Sequence, residues 1–591
     1  MKQIIILLVL FYSVSGFSQE RLVPLQSNPV LKALYGKQTY YFHKNARAAK
    51  DSDTTNLQLP FRDDFSGQSI YPDQKLWIDS NVFINDNLAI KAPTAGVATF
   101  DGVDKHGNAY QPNSGDITGK ADSLTSRHIN LGGLTPQDSV FLSFYLESTG
   151  LGNAPEAEDS MVLQFRAPGR SWTTDTVFTY TGNDTTFRRA ERVIRDTAYF
   201  KKGFQFRFVN NATLSGNLDH WHLDYVYMNT NAAQKRALND VAFKHRPTSL
   251  LTPYQSLPWS HYVTTMKKPT ISIGMVRFFQ AGEAGRLYYS PPQSEAIDLK
   301  FFGDTILSRP SSLFDIKNDL NKKNIDIPIV FKHDIQNDYT PNDTAGYIQR
   351  FSNYFAYDDG TAENGYGVNF NKAKIAQEFT LSHPDTLQAI GIFFTQIITN
   401  QSQHTFRLMV WSSLSPENVV YEAPDIEIPR YQGIDSFYVY RLSKPLPMSG
   451  TFYIGFQQNT EDIINIGFDR NSDSHGHVFF TTNGPWHSSS LEGNLMMRPY
   501  VGSPIPAGIS PVADKQRIGI SPNPAAGFID IKLPGSLYDE NYRIFTPLGQ
   551  CLQQGNLTPR IDISALKPGL YLLQVADVKG THYSERFLIA R

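Results

Sequence analysis

The sequence predicts an all-β protein built from tandem β-sandwich or jelly-roll domains with a further small β-sandwich at its C-terminus. Aromatic residues make up 13% of the 591 positions, led by 39 Phe and 30 Tyr, and such side chains suit a pleated, half-buried surface. Alongside them stand 35 Pro and 41 Gly, which cut the chain into short runs separated by turns. Within those runs apolar residues alternate with period two, and helical periodicity is nearly absent.

A chain this long exceeds a single core and should divide into about four domains. At 40% hydrophobic and 19% charged residues it has the composition of a folded protein. The net charge of −2 supplies no basic field, which argues against a nucleic-acid partner. The single cysteine, Cys551, lies in the last domain, so the rest of the chain has no disulfide, thiol nucleophile or cysteine-ligated metal.

In order, Met1 and Lys2 precede a short apolar run, and Gly16 and Ser18 are the small residues a signal peptidase reads. The expectation is a signal peptide over 1–18 with cleavage between Ser18 and Gln19. No later stretch is apolar enough to form a transmembrane helix. Residues 19–56 form a mixed lead segment. Over 57–230 the runs 141–146, 161–165, 204–209 and 223–227 read as strands of one jelly roll. A β-rich spacer domain is expected over 231–350 and a further β-sandwich over 351–501. Residues 502–517, rich in Pro and Gly, read as an extended linker open to a sorting enzyme.

The final stretch, 518–591, opens on Ser521-Pro522-Asn523-Pro524, continues through a Pro-Leu-Gly-Gln turn and the run containing Lys567, Pro568, Gly569 and Tyr571, and closes on Phe587-Leu588-Ile589-Ala590-Arg591. It resembles the type A sorting domain of the Bacteroidetes type IX secretion system, a small Ig-like β-sandwich that serves as an export address. That resemblance implies passage through the periplasm to the outer cell surface or beyond, with the secretion machinery and its sorting enzyme as partners. Residues 57–230, with Trp77, the 98–102 turn, Trp172 and 220–224, are similar to MAM-like and concanavalin-like modules. The likeness implies an extracellular glycan or protein ligand.

Three clusters are candidates for chemistry. His220, His222 and Asp224 alternate along one strand face, where two of them could share a metal; the simpler expectation is that the histidines flank a buried Trp221 and Asp224 serves backbone donors. Glu156 and Glu158 offer paired carboxylates for a polysaccharide hydrolase, though Ala154 and Pro155 place them in a loop. Asp469, Asn471 and Asp473 have the alternating oxygen pattern of a calcium loop, without the glycine and glutamate positions of an EF-hand. No cofactor is required by any motif, and none of the nucleophile or phosphate-loop motifs occurs. The reading favoured is an exported, adhesin-like binding protein, with a hydrolase as the alternative.

Overall fold

A computed structural model describes residues 20–32, 56–67, 69–182, 186–230, 240–264, 270–277, 285–290, 296–299, 305–310, 325–335, 339–395, 403–431, 437–503, 519–521, 525–532, 541–545, 551–567, 569–576 and 582–589. The predicted signal peptide, its Ser18/Gln19 cleavage site, most of the linker, and Pro522, Asn523, Pro524 and Pro568 lie outside them. The chain divides into two compact units, Met1–Ser503 and Pro504–Arg591. Both are built of sheets that are almost entirely antiparallel, the short Ser256–Leu257 strand pairing parallel to Thr344–Phe351.

The first sandwich of the larger unit faces one sheet, Arg188–Val193, Phe141–Ser148, Trp221–Asn229, Val97–Phe100 and Phe83–Asn85, against a second, Thr118–Thr125, Lys202–Thr213, Ser160–Arg166 and Thr173–Thr179. Alternation decides which side chains go inside. Phe204, Phe206 and Phe208 all point to the core, where Trp77 meets Phe61 and Phe206 edge-on at 5.2 and 5.7 Å. Gln164, Arg166 and Arg207 occupy the opposite, outward face of the same sheet.

Beyond residue 240 the sheets share one buried apolar cluster running from Val241 to Val501. It passes without a break through the 350/351 boundary expected from sequence, because Phe351, Phe355 and Tyr357 pack inward at that junction. The opening and closing segments of the 351–501 region meet: Phe355 donates its amide to the Pro499 carbonyl, and the buried Arg498 guanidinium pairs with Asp358.

The lead segment has a structural role that composition did not show. Glu20–Val23 adds a strand to Asn364–Val368, and the buried Glu20 carboxylate accepts from the Tyr366 hydroxyl, the Ser489 hydroxyl and the Ser490 amide at 2.7–2.8 Å. Leu25 then packs with Phe393 and Met496, while Leu31 packs with Phe83, Leu88 and Val103 of the first sandwich. Residues 20–32 are therefore a strap between the two sandwiches.

In the smaller unit Gly519–Ser521, Phe528–Lys532 and Arg560–Asp562 form one sheet, and Cys551–Asn556, Asn541–Phe545, Gly569–Ala576 and His582–Ile589 form the other. Its buried cluster is drawn wholly from residues 520–589. Tyr571 stacks on Phe587 at 5.7 Å and donates its hydroxyl to the Lys567 carbonyl, tying together two positions of the sorting motif.

Candidate functional site

The first sandwich carries two of the three clusters that sequence singled out, and the structure sorts their residues into different roles. His220 and His222 lie on one face with ring centroids 6.3 Å apart, but each is already engaged. His220 takes the Asn153 amide at 2.8 Å on Nδ1 and meets Asn217 at 2.7 Å through Nε2; His222 meets Thr99 at 2.9 Å. Asp224 turns away from both and accepts from the Thr94 amide and hydroxyl and from the Tyr225 amide. The three do not converge on a metal. Trp221 between them is buried in the core.

Burial pushes His220 down to about 3, helped by the nearby His222, and His222 down to about 4. Below about pH 6.5 the unfolded chain protonates both rings, while the folded chain resists until about pH 4, so each ring removes stability as pH falls through that window. Asp63 and Asp101, pushed up to about 7 by burial, act in the opposite sense and favour the folded state as pH falls from 7. Comparing wild type with His222→Asn isolates the imidazole contribution. Its unfolding free energy should lose up to about 1.4 kcal/mol less per pH unit between pH 6.5 and 4.5, measured by urea titration. Equal acid slopes for the two proteins contradict the assignment.

Glu158 is exposed and stands apart; the carboxylates that face Glu156 are Asp159 and Asp219. One oxygen from each of the three lies within 4.8 Å of the other two. Burial raises the pKa of all three. Since Asp159 and Asp219 are 1% and 0% exposed, a sugar ring cannot reach them, and the arrangement does not form the open acid pair expected of a hydrolase. Sequence reasoning missed Asp219 because it is 60 residues away and no local spacing announces it.

Asp469, Asn471 and Asp473 sit in a hydrogen-bonded loop. The buried Asp469 carboxylate accepts the amides of Asp359, Asn471 and Ser472 and the Ser472 hydroxyl. Asn471 donates to Asp359, and Asp473 accepts from the His475 and Gly493 amides. Both oxygens of Asp469 and Oδ1 of Asp473 thus accept hydrogen bonds that shape the loop. The next residue along from Asp469, Arg470, donates to the Leu151 carbonyl at 2.6 Å, so this loop is a contact with the first sandwich.

A polar, aromatic face on the outer side of the second sheet was not among the sequence candidates. Arg166 and Arg207 place their guanidinium carbons 4.7 and 4.3 Å from the Trp172 ring centre. Strand register sets Arg207, Gln164 and Thr174 side by side. Arg207 donates to Gln164 at 2.8 Å, and Gln164 donates to Thr174 at 3.1 Å. Neither arginine has a carboxylate partner among the described residues. Burial lowers the pKa of Arg207; the negative charge of Asp79 opposes that shift, and the like charge of Arg166 adds to it.

These features define a protein of β-sandwiches with a separate C-terminal address. Residues 519–590 match the secretion system C-terminal sorting domain family. The protein is a cargo of the type IX secretion system, handled by that machinery and delivered to the cell surface or the extracellular space. No helix among the described residues is long and apolar enough to cross a membrane. No curated protein matches the sequence. Among solved structures, the tandem CBM51 modules of a family 98 glycoside hydrolase from Streptococcus pneumoniae align over 68% of this chain and 88% of theirs, at 8% identity and a TM-score of 0.13. The BSP domain of a biofilm associated protein aligns over 82% of this chain and 97% of its own, at 7% identity and a TM-score of 0.11. TM-scores this low assign neither a topology nor a function to the chain.

Proposed function

We propose that this exported protein is an adhesin-like binding protein and that its first sandwich holds an acidic glycan on the Trp172 face. The observation that carries the reading is the pair of guanidinium groups held over one indole with no carboxylate in salt-bridge contact among the described residues. Two like charges kept close repel each other, and an arginine fork matches a carboxylate or sulfate in two hydrogen bonds. The indole fixes both forks, and its remaining apolar surface suits the C–H face of a sugar. Gln164 and Thr174 add neutral hydrogen-bonding groups in the same row. On this reading binding falls to the 57–230 sandwich, and the region that shares the Val241–Val501 core supports it.

A glycan array probed with the purified protein tests this. Uronic-acid or sulfated glycans should bind above their neutral counterparts, and added salt should weaken the binding. Arg207→Met should lose about tenfold to a hundredfold in affinity, the worth of one charge-assisted contact. Equal binding of neutral and acidic glycans, or unchanged binding by Arg207→Met, counts against the proposal.

A further inference from the structure

We propose that Glu156, Asp159 and Asp219 together hold a calcium ion that fastens the 149–159 loop to the turn between the Lys202–Thr213 and Trp221–Asn229 strands.

Geometry comes first. Asp159 uses one oxygen, Oδ2, to accept the Glu156 amide at 2.8 Å, and Asp219 uses its Oδ2 to accept the Thr213 amide at 2.6 Å. The other oxygen of each, Oδ1, is buried and has no hydrogen-bond donor. A buried carboxylate oxygen without a donor is costly, and here there are two in one cluster. Glu156 brings a third carboxylate from the solvent side, which leaves a route by which an ion can enter. No basic residue is among the groups that perturb the three acids; the chief influences are burial and one another.

A cation resolves all of this at once. Calcium binds oxygen at about 2.3–2.6 Å, so two oxygens on the same ion lie no more than about 5 Å apart. The observed limit of 4.8 Å falls within that span. An all-oxygen, all-carboxylate set suits a hard ion over zinc, which prefers nitrogen and sulfur. Extracellular modules bind calcium with dissociation constants of about 10⁻⁴–10⁻³ M, the regime suited to a protein delivered outside the cell. The scaffold is already in place, since Asn153 accepts the Asp219 amide at 3.1 Å and donates its own amide to His220.

The test uses the full chain, stripped with EGTA and titrated with calcium chloride, read by thermal unfolding and by isothermal calorimetry. Calcium should raise the melting temperature, since a ligand that prefers the folded state stabilises by mass action. It should also slow proteolysis within 149–159. Asp219→Asn should abolish both effects. Because that site is buried, Glu156→Gln on the exposed side serves as the second variant; it should keep the apo melting temperature and weaken calcium binding about tenfold through the lost charge. Asp473→Ala should leave the calcium shift intact. The proposal is overturned if calcium neither binds nor shifts the wild type, if Glu156→Gln binds it equally, or if Asp473→Ala removes the shift.

Discussion

Removing residues 504–591 should abolish surface exposure while leaving a folded protein in the periplasm. The tail's buried cluster is drawn from residues 520–589 alone, and the chain separates into units at 503/504, so truncation removes an address without opening the larger core. Protease added to intact cells should digest the full-length protein and spare the truncated one. The purified 20–503 portion should melt at the same temperature as the first unit of the full chain. Surface digestion of the truncated protein at the full-length rate contradicts this account of export.

Arg498→Met should cost the protein more stability than His222→Asn, Glu156→Gln or Arg207→Met. Arg498 pairs with Asp358, whose side chain is fully buried, and lies 3.8 Å from the Phe437 ring centre and 4.8 Å from that of Tyr354. Removing the guanidinium leaves an uncompensated buried carboxylate, which costs about 3–5 kcal/mol. A whole domain is stable by only about 5–15 kcal/mol, so the variant should lose much of its urea resistance. Adding Asp358→Leu to the same chain should restore part of the loss by removing the stranded charge. If Arg498→Met unfolds at the wild-type urea concentration, the pair does not hold the ends of the 351–501 region together.

The all-β class was legible because it is written in local pattern. Phe204, Phe206 and Phe208 alternate inward at period two, and the turn residues mark where strands stop. The sorting domain was legible for a different reason, its motifs being short, ordered and contiguous. What escaped was long-range. Glu156 and Asp219 meet only because the second sheet brings their loops to one end, and Trp172 gains its arginines from two other strands. Glu20–Val23 is four residues long, too short for a pattern, and its value lies in the Asn364–Val368 strand it joins. In the Asp469 loop, the amides of Asp359, Asn471 and Ser472 that the carboxylate accepts are donors that spacing alone does not reveal.

Adhesion of whole cells to a surface coated with an acidic glycan tests most directly the claim that this exported protein binds through its Trp172 face. Cells displaying the wild-type chain should be retained, and the retention should fall as salt is raised. Cells displaying Trp172→Ala should reach the same surface density, judged by protease sensitivity, and yet detach, because the guanidinium groups of Arg166 and Arg207 lose the ring that holds them. Equal retention of Trp172→Ala and wild-type cells at equal display contradicts the claim.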